Sequence, residues 1–264
     1  MKNVNGFPQA LRAGYLDTRL GQLHYRVCGQ GRTLLLLHPP PRSSLVYRRL
    51  MAAFEETGGV RVIALDLPGF GQSCDLPAGI TIDGLADVVA QAIVALDCGP
   101  VSVFGLHTGN KVGAALAAAH PAQVDRLILA GLTHSIILDA QRRNEAMRAY
   151  MRSKPPTDPA QDPPAWRDEQ VDRLNARGVD TLYAANFSFD LAGVVPAITA
   201  PTLVLELAVP QEESLGRHAD SWCAQLPRGQ AACVAGNDRD LLQSRPHELA
   251  RMITQYLNES PATA

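Results

Sequence analysis

Gly105-Leu106-His107-Thr108-Gly109 is the stretch that decides the fold. It follows an apolar run, 101–106, which predicts a buried strand, and it leads into a segment, 108–120, which predicts a helix. Glycines on both sides of the junction favour a tight turn with His107 at its centre. The pentapeptide therefore predicts a strand–turn–helix unit whose turn presents an imidazole.

The same alternation of apolar runs and amphipathic segments extends along the chain in both directions. Strands are predicted at 16–20, 22–27, 34–37, 60–65, 101–106, 127–132, 202–207 and 231–234. Helices are predicted at 44–56, 82–96, 108–120, 215–226 and 246–257. Short strands that alternate with helices form parallel sheets. The prediction is an α/β fold with a mostly parallel eight-stranded sheet and helices on both faces.

Composition narrows the possible partners. The chain has 264 residues, 46% of them hydrophobic, and a formal net charge of -2 without a run of like charges. These values suit one α/β domain and favour neither a nucleic-acid surface nor a polybasic membrane patch. We expect a small-molecule substrate or ligand, no nucleic acid and no membrane, with the oligomeric state open between monomer and homodimer.

The cysteines and the first residues of the chain indicate the cellular compartment in which we expect the protein. The five cysteines are widely spaced and include no C-x-x-C pair, which argues against a disulfide framework or a zinc ribbon. The first residues contain no apolar signal region, and no apolar run reaches the roughly 20 residues of a membrane helix. We expect a cytoplasmic protein without a cofactor or metal.

Residues 135–195 interrupt the strand–helix rhythm with charged helical pieces and a stretch rich in proline and aspartate. This segment predicts a helical cap inserted into a core formed by 1–134 and 196–264. Within it, Tyr183, Phe187 and Phe189 are candidates to line an apolar pocket. The alternative is that these rings only attach the cap to the core.

Taken together, five motifs resemble those of cap-bearing α/β-hydrolases. They are 34–39 after the third strand, 66–73 after the fourth, the pentapeptide 105–109 after the fifth, Pro121 with 124–129 at the sixth, and 201–205 at the seventh. In this family the pentapeptide is the G-x-S-x-G nucleophile elbow. Together with 38–43, it is similar to a bacterial subgroup with Gly-x-His-Thr-Gly at the elbow.

The resemblance places His107 where the family has its nucleophilic serine. Histidine has no hydroxyl, but the same turn would project an imidazole into the pocket, where it can act as general base or general acid. Histidine also tolerates the positive φ of such a turn better than most residues. The alternative is a site that has lost its catalytic activity.

The resemblance also implies an oxyanion hole, one donor of which comes from the loop after the third strand. Here that loop reads His38-Pro39-Pro40-Pro41, and proline has no N–H. The N–H of Thr108 remains as the expected donor. The side chains of His38, Arg42 or Ser43 could substitute only by moving in.

The remaining catalytic positions of the family are also changed. Arg239 stands at the place of the catalytic histidine, or Asp238 with a one-residue slip, and His247 is expected on the surface. Arg239 could bind a substrate carboxylate or pair with a neighbouring aspartate. At the usual acid position, 206–210 departs from the family pattern, although Glu212 and Glu213 are near.

Three histidines follow neighbouring strands: His38, His107 and His134. They could in principle bind zinc. We favour instead an acid/base pair of His107 with His134 or a cap residue.

Two functions stay open. One is an enzyme that uses His107 for proton transfer, such as a lyase, decarboxylase, isomerase, cyclase or atypical hydrolase. The other is a binding protein that keeps the pocket without catalysis.

Overall fold

The computed structural model describes residues 10–131, 145, 157–208, 219–236 and 240–259. Eight strands form one sheet: β1 (Arg12–Thr18), β2 (Gly21–Gly29), β3 (Arg32–Leu37), β4 (Val60–Leu65), β5 (Val101–Leu106), β6 (Val124–Ala130), β7 (Thr202–Ala208) and β8 (Gly229–Ala235). The strand order is β1-β2-β4-β3-β5-β6-β7-β8. Pairs β1/β2 and β2/β4 are antiparallel, and the other pairs are parallel.

Helices cover both faces of this sheet. They are α1 (Arg48–Thr57), α2 (Ile82–Ala95), α3 (Thr108–Ala119), α4 (Pro163–Asn175), α5 (Val179–Ser188), α6 (Leu191–Val194), α7 (Ala219–Cys223) and α8 (Pro246–Asn258). One apolar core cluster joins the sheet to α2, α3, α5, α6 and α7, and a second joins it to α1 and α8. The predicted eight-stranded, mostly parallel sheet with helices on both faces is confirmed.

Several element boundaries differ from the predictions. The helix expected at 44–56 begins as a tighter 3-10 turn, Ser44–Tyr47, before α1 starts. The Ser43 side chain caps this turn by accepting from the Leu45 N–H. Strand β6 begins at Val124, earlier than expected. The helix expected at 215–226 is described from 219 onward; it ends at Cys223, and 224–226 form a turn. Leu132, the expected end of the sixth strand, lies outside the described residues.

The segment between β6 and β7, which we call the insertion, is described from residue 157 onward. It contains α4, α5 and α6. The two later helices place Leu182, Ala185 and Leu191 in the same apolar cluster as α3. No helix among the described residues is long and apolar enough to cross a membrane.

Candidate functional site

The turn between β5 and α3 has the strained geometry that the sequence predicts. His107 has φ 49° and ψ -113°, and it directly precedes the first residue of α3. A Cβ at Gly105 would lie 2.4 Å from the Asn110 Cα, and one at Gly109 would lie 2.1 Å from the Leu37 carbonyl oxygen. Both positions need glycine because the backbone on either side approaches so closely.

The imidazole of His107 is oriented by the end of β6. Its Nδ1 lies 3.2 Å from the carbonyl oxygen of Gly131. A carbonyl oxygen can only accept, so Nδ1 carries the hydrogen and Nε2 carries the lone pair of the neutral ring. A Cβ at Gly131 would lie 2.6 Å from this Nδ1, and Gly131 has φ 66°. The glycine therefore makes room for the ring.

A side chain that the sequence reasoning missed holds this part of β6. The Ala130 carbonyl oxygen accepts from the backbone N–H of His107 at 3.0 Å and from Nδ2 of the buried Asn110, also at 3.0 Å. The next carbonyl, that of Gly131, is the one that orients the imidazole. Asn110 therefore fixes the backbone on which the His107 ring rests.

The loop after β3 packs directly against the elbow. The contact between Leu37 and the Cβ position of Gly109 places this loop beside the first turn of α3. The loop then turns back on itself, since the Arg42 N–H donates to the Pro39 carbonyl at 2.9 Å and the Pro40–Pro41 peptide is cis. Its prolines supply no N–H here. Thr108, which is buried, begins α3, where helical N–H groups lack intrahelical acceptors.

His38 is fully buried, and both of its ring nitrogens bond to the backbone. Its Nε2 accepts from the Leu67 N–H at 2.9 Å, so the hydrogen is on Nδ1, which lies 3.2 Å from the Pro39 carbonyl oxygen. Burial lowers the pKa of His38 and keeps the ring neutral. In this arrangement, His38 supports the loop instead of offering a lone pair to a metal or a substrate.

Beneath the loop lies a buried carboxylate, Asp66. It accepts from His24 Nδ1 at 2.9 Å, from the Ser44 N–H at 2.7 Å and from the Gln72 N–H at 3.0 Å. Burial by itself raises the pKa of Asp66, but the His24 hydrogen bond, the charge of Arg26 and the other donors outweigh it, and the net shift is downward. Asp66 is therefore an ionised anchor for the loops after β3 and β4.

Arg42, a candidate for the oxyanion hole, is directed to the insertion. Its Nε lies 2.6 Å from Asp172 Oδ2, and its guanidinium also reaches Glu169 at 3.4 Å. The Ser43 hydroxyl donates to the other oxygen of Asp172 at 2.5 Å. These contacts are satisfied within the protein, so Arg42 and Ser43 link the loop to α4.

Further ion pairs join α4 and its neighbours to the core. Arg48 pairs with Asp168, and Nη2 of Arg49 lies 2.7 Å from Oδ1 of Asp162. Deeper in the molecule, the buried Lys111 of α3 donates to the Asn186 carbonyl near the end of α5 at 2.8 Å. A cation is favourable at a helix C-terminus. Charged contacts thus link the insertion to the loop after β3 and to α3.

The predicted aromatic residues separate into two groups. Tyr183 and Phe187 stack on each other along α5, with ring centroids 5.8 Å apart and planes at 11°. Burial raises the pKa of Tyr183. Phe189 is packed into the apolar core shared with α3, and it also lines a groove of about 760 Å³ beside Ile80 and Ile82. Phe189 thus packs against the core and also borders a groove, so both roles that the sequence leaves open remain predictions for this residue.

Several predicted residues lie outside the described part of the chain. These are His134, Glu212, Glu213, Asp238 and Arg239. His247 lies on the surface, where its Nε2 is 2.9 Å from Glu56 Oε2. Within the described ranges, no group of three His, Cys, Asp or Glu side chains could hold a metal ion.

Residues 32–175, more than half of the chain, match the family model described as alpha/beta hydrolase fold. The chain belongs to the α/β-hydrolase fold family. Among curated relatives of this hydrolase-fold chain, a haloalkane dehalogenase of Mycolicibacterium paratuberculosis is 34% identical over 148 residues, which cover 53% of the chain and 48% of the dehalogenase. A putative carbamate hydrolase, RutD, of Yersinia enterocolitica is 29% identical over 222 residues, which cover 75% of the chain and 77% of that protein. The chain thus spans about half the length of the dehalogenase.

Solved structures of the family show the same architecture. A hydrolase from Pseudomonas aeruginosa aligns with a TM-score of 0.69 at 21% identity, over 94% of the chain and 99% of that protein. The enol-lactonase from Burkholderia xenovorans aligns with a TM-score of 0.67 at 20% identity, over 93% of the chain and 100% of the lactonase. At these identities the likeness establishes the fold, while the site has to be argued from its own residues.

Proposed function

We propose that the chain is an enzyme that acts on a small, partly apolar molecule, with His107 as its general acid and base. The observation on which this rests is the imidazole at the elbow of an α/β-hydrolase fold, with Nδ1 directed to the Gly131 carbonyl. That hydrogen bond fixes the tautomer and leaves the lone pair on Nε2, as a general base requires.

In this mechanism, Nε2 of His107 takes a proton from an acidic C–H or O–H of the substrate, or from a water molecule. The imidazolium then returns the proton to the leaving group or the product, so that no covalent intermediate forms on the elbow. The Thr108 N–H at the start of α3 stabilises negative charge that develops on the substrate. The expected reactions are proton-transfer reactions of the lyase, decarboxylase, isomerase or cyclase type, or hydrolysis by activated water.

Residues 135–195 act as the cap of this enzyme in our proposal. The ion pairs of Arg42 and Arg49 with the insertion support this, because they attach it to the loop that packs on the elbow and to α1. The five cysteines are free thiols, which supports a reducing compartment such as the cytoplasm.

One observation favours a second candidate, a ligand-binding protein without catalysis. The loop of Pro39, Pro40 and Pro41 offers no N–H beside the elbow, and loss of one oxyanion donor typically lowers a rate about 10²- to 10³-fold. This would matter for an ester or amide, whose tetrahedral intermediate needs two donors. It matters less for the transfer of a single proton.

The test compares wild-type protein with the His107→Ala and His107→Gln variants. The panel contains 4-nitrophenyl esters, a carbamate, a haloalkane and β-dicarbonyl compounds, the last followed by hydrogen–deuterium exchange in NMR. We expect turnover of at least one compound by the wild type, and a loss of about 10²- to 10⁴-fold in both variants. The matched control is His120→Gln, since His120 lies on the surface beside Asp87 and should leave the rate unchanged.

Two results would reject the proposal. Unchanged turnover in His107→Ala would remove the imidazole from the chemistry. Saturable binding of panel compounds with no turnover of any of them would favour the binding protein.

A further inference from the structure

The strand register places a buried carboxylate, Glu206, level with the elbow. Parallel pairing aligns Leu129 with Val204 and Ala130 with Leu205, and the Gly131 N–H lies 3.4 Å from the Leu205 carbonyl oxygen. Continued by one residue, this register sets Glu206 beside Gly131. The strands are about 4.8 Å apart, so His107, Gly131 and Glu206 form one row across β5, β6 and β7.

The side chain of Glu206 is on the same face of the sheet as the His107 ring. Alternate residues of β7 point to opposite faces, and Val204 belongs to the apolar cluster of α3, whereas Leu205 belongs to that of α1 and α8. Glu206 therefore shares the α3 face. The imidazole lies over the same face of Gly131, where a Cβ would be only 2.6 Å from Nδ1. Because Gly131 has no side chain, it adds no bulk between the ring and Glu206.

Glu206 is only 7% exposed, and its Oε2 lies 3.4 Å from the Ala219 N–H at the start of α7. A positive charge that develops on a neighbouring group is stabilised strongly by such a preorganised carboxylate.

We propose that Glu206 is a positioning residue for catalysis, and that its carboxylate stabilises the imidazolium of His107. The inference rests on the proposed function. When Nε2 of His107 accepts a proton from the substrate, the ring becomes a cation whose Nδ1–H stays on the Gly131 carbonyl. No proton is transferred to Glu206 in this scheme, and the proton leaves again from Nε2.

The other charged groups at this end of the described sheet point elsewhere. Lys111 on α3 directs its ammonium to the Asn186 carbonyl. Asp66, after β4, pairs with His24 and Arg26. His134 and Arg239 lie outside the described residues. Among the described charged groups, Glu206 is the carboxylate that lies in the same row across β5, β6 and β7 as His107.

The experiment reads the protonation of His107 without any substrate. Diethylpyrocarbonate acylates neutral imidazole, and the tryptic peptide 62–111 contains His107 as its only histidine, so mass spectrometry gives a site-specific rate. A nearby carboxylate keeps more of the ring protonated, so at about pH 6 we expect His107 to be acylated about threefold faster in Glu206→Gln than in the wild type. At about pH 8 the two rates should agree, because histidine is then mostly neutral in either protein.

Matched variants separate charge from packing. Glu206→Asp keeps a carboxylate and should return the rate at low pH towards that of the wild type. Glu248→Gln removes an exposed carboxylate on α8 and should change nothing. Glu206→Ala replaces the glutamine variant if the latter does not fold, and the same result is expected of it.

Equal rates for the wild type and Glu206→Gln at low pH would overturn the inference. So would equal acceleration at both pH values, since that would indicate only a loosened site. The failure of the proposed function is a separate result, because it is measured by turnover in the His107 variants.

Discussion

Arg42 and Asp172 form a largely buried ion pair, with Nε 2.6 Å from Oδ2, that joins the loop after β3 to helix α4 of the insertion. The Ser43 hydroxyl binds the second oxygen of the same carboxylate. Asp172 thus binds two residues of the loop after β3, which packs against the elbow, although Asp172 itself belongs to a segment far away in the sequence.

We expect Asp172→Asn to lower the free energy of unfolding by about 2–4 kcal/mol, because it removes the nearer of the two carboxylates that pair with the mostly buried Arg42 guanidinium. Urea unfolding measures this. The control is Asp75→Asn in the Arg177 pair, where the aspartate side chain is 82% exposed and the change should stay within about 0.5 kcal/mol. Equal effects of the two variants would contradict the structural role of Asp172.

Gly131→Ala should displace the imidazole of His107, because the new Cβ would lie 2.6 Å from Nδ1. We expect turnover to fall about 10²-fold for a displacement of this kind. Gly79→Ala is the matched control: Gly79 has φ 75°, close to the 66° of Gly131, but its Cβ would meet open space. Both variants should lose a similar, small amount of stability, about 1–2 kcal/mol, from the left-handed backbone. If Gly79→Ala lost as much activity as Gly131→Ala, ring displacement would not be the cause.

Asp66 predicts how stability depends on pH. Its pKa is lowered in the folded protein, so its contribution to stability is complete above the ordinary carboxyl pKa of about 4 and decreases as the pH falls towards the folded value. Asp66→Asn should therefore be clearly less stable than the wild type at neutral pH, and the difference should narrow below about pH 4. Urea unfolding over this pH range is the measurement. A difference that stayed constant with pH would show that the charge of Asp66 is not the source.

His107→Ser restores the G-x-S-x-G pattern, yet we expect it to gain no esterase activity. A serine nucleophile needs a base and an oxyanion hole, and the loop Pro39–Pro41 supplies no N–H for the latter. The assays are hydrolysis of 4-nitrophenyl butyrate and labelling by a fluorophosphonate probe, with wild-type protein as the comparison. Stoichiometric labelling of the new hydroxyl in the His107→Ser variant would show that the rest of a serine hydrolase site is present.

The sheet was predictable because its signals are local. Apolar runs such as 34–37 and 101–106 are long enough to identify buried strands, and the glycines of 105–109 mark the turn. The start of β6 was harder to predict, because the charged residues Asp125 and Arg126 interrupt its apolar run and the strand directly follows a 3-10 turn.

The site was predictable only in part. His107 could be found because its place in the pentapeptide is fixed by glycines, whereas the sequence suggests His38 as a pocket residue, although its two ring nitrogens bond to the backbone of Leu67 and Pro39. A hydrogen-bond partner 20 or more residues away cannot be recognised from a local sequence pattern. Asn110 of α3 was missed for this reason, since its side chain donates to the Ala130 carbonyl, and the placement of Glu206 beside Gly131 depends on strand register.

The insertion is attached to the core by two different kinds of force. Along α4 the attachment is ionic, through Arg42, Arg48 and Arg49. Along α5 and α6 it is mainly apolar, through residues such as Leu182 and Leu191, with the Lys111 ammonium on the Asn186 carbonyl as a polar contact. Salt screens largely buried ion pairs only weakly, whereas apolar contacts weaken as the temperature falls. Cold should therefore loosen the packing of α5 and α6 on the core, while raised salt leaves the buried ion pairs of α4 largely intact.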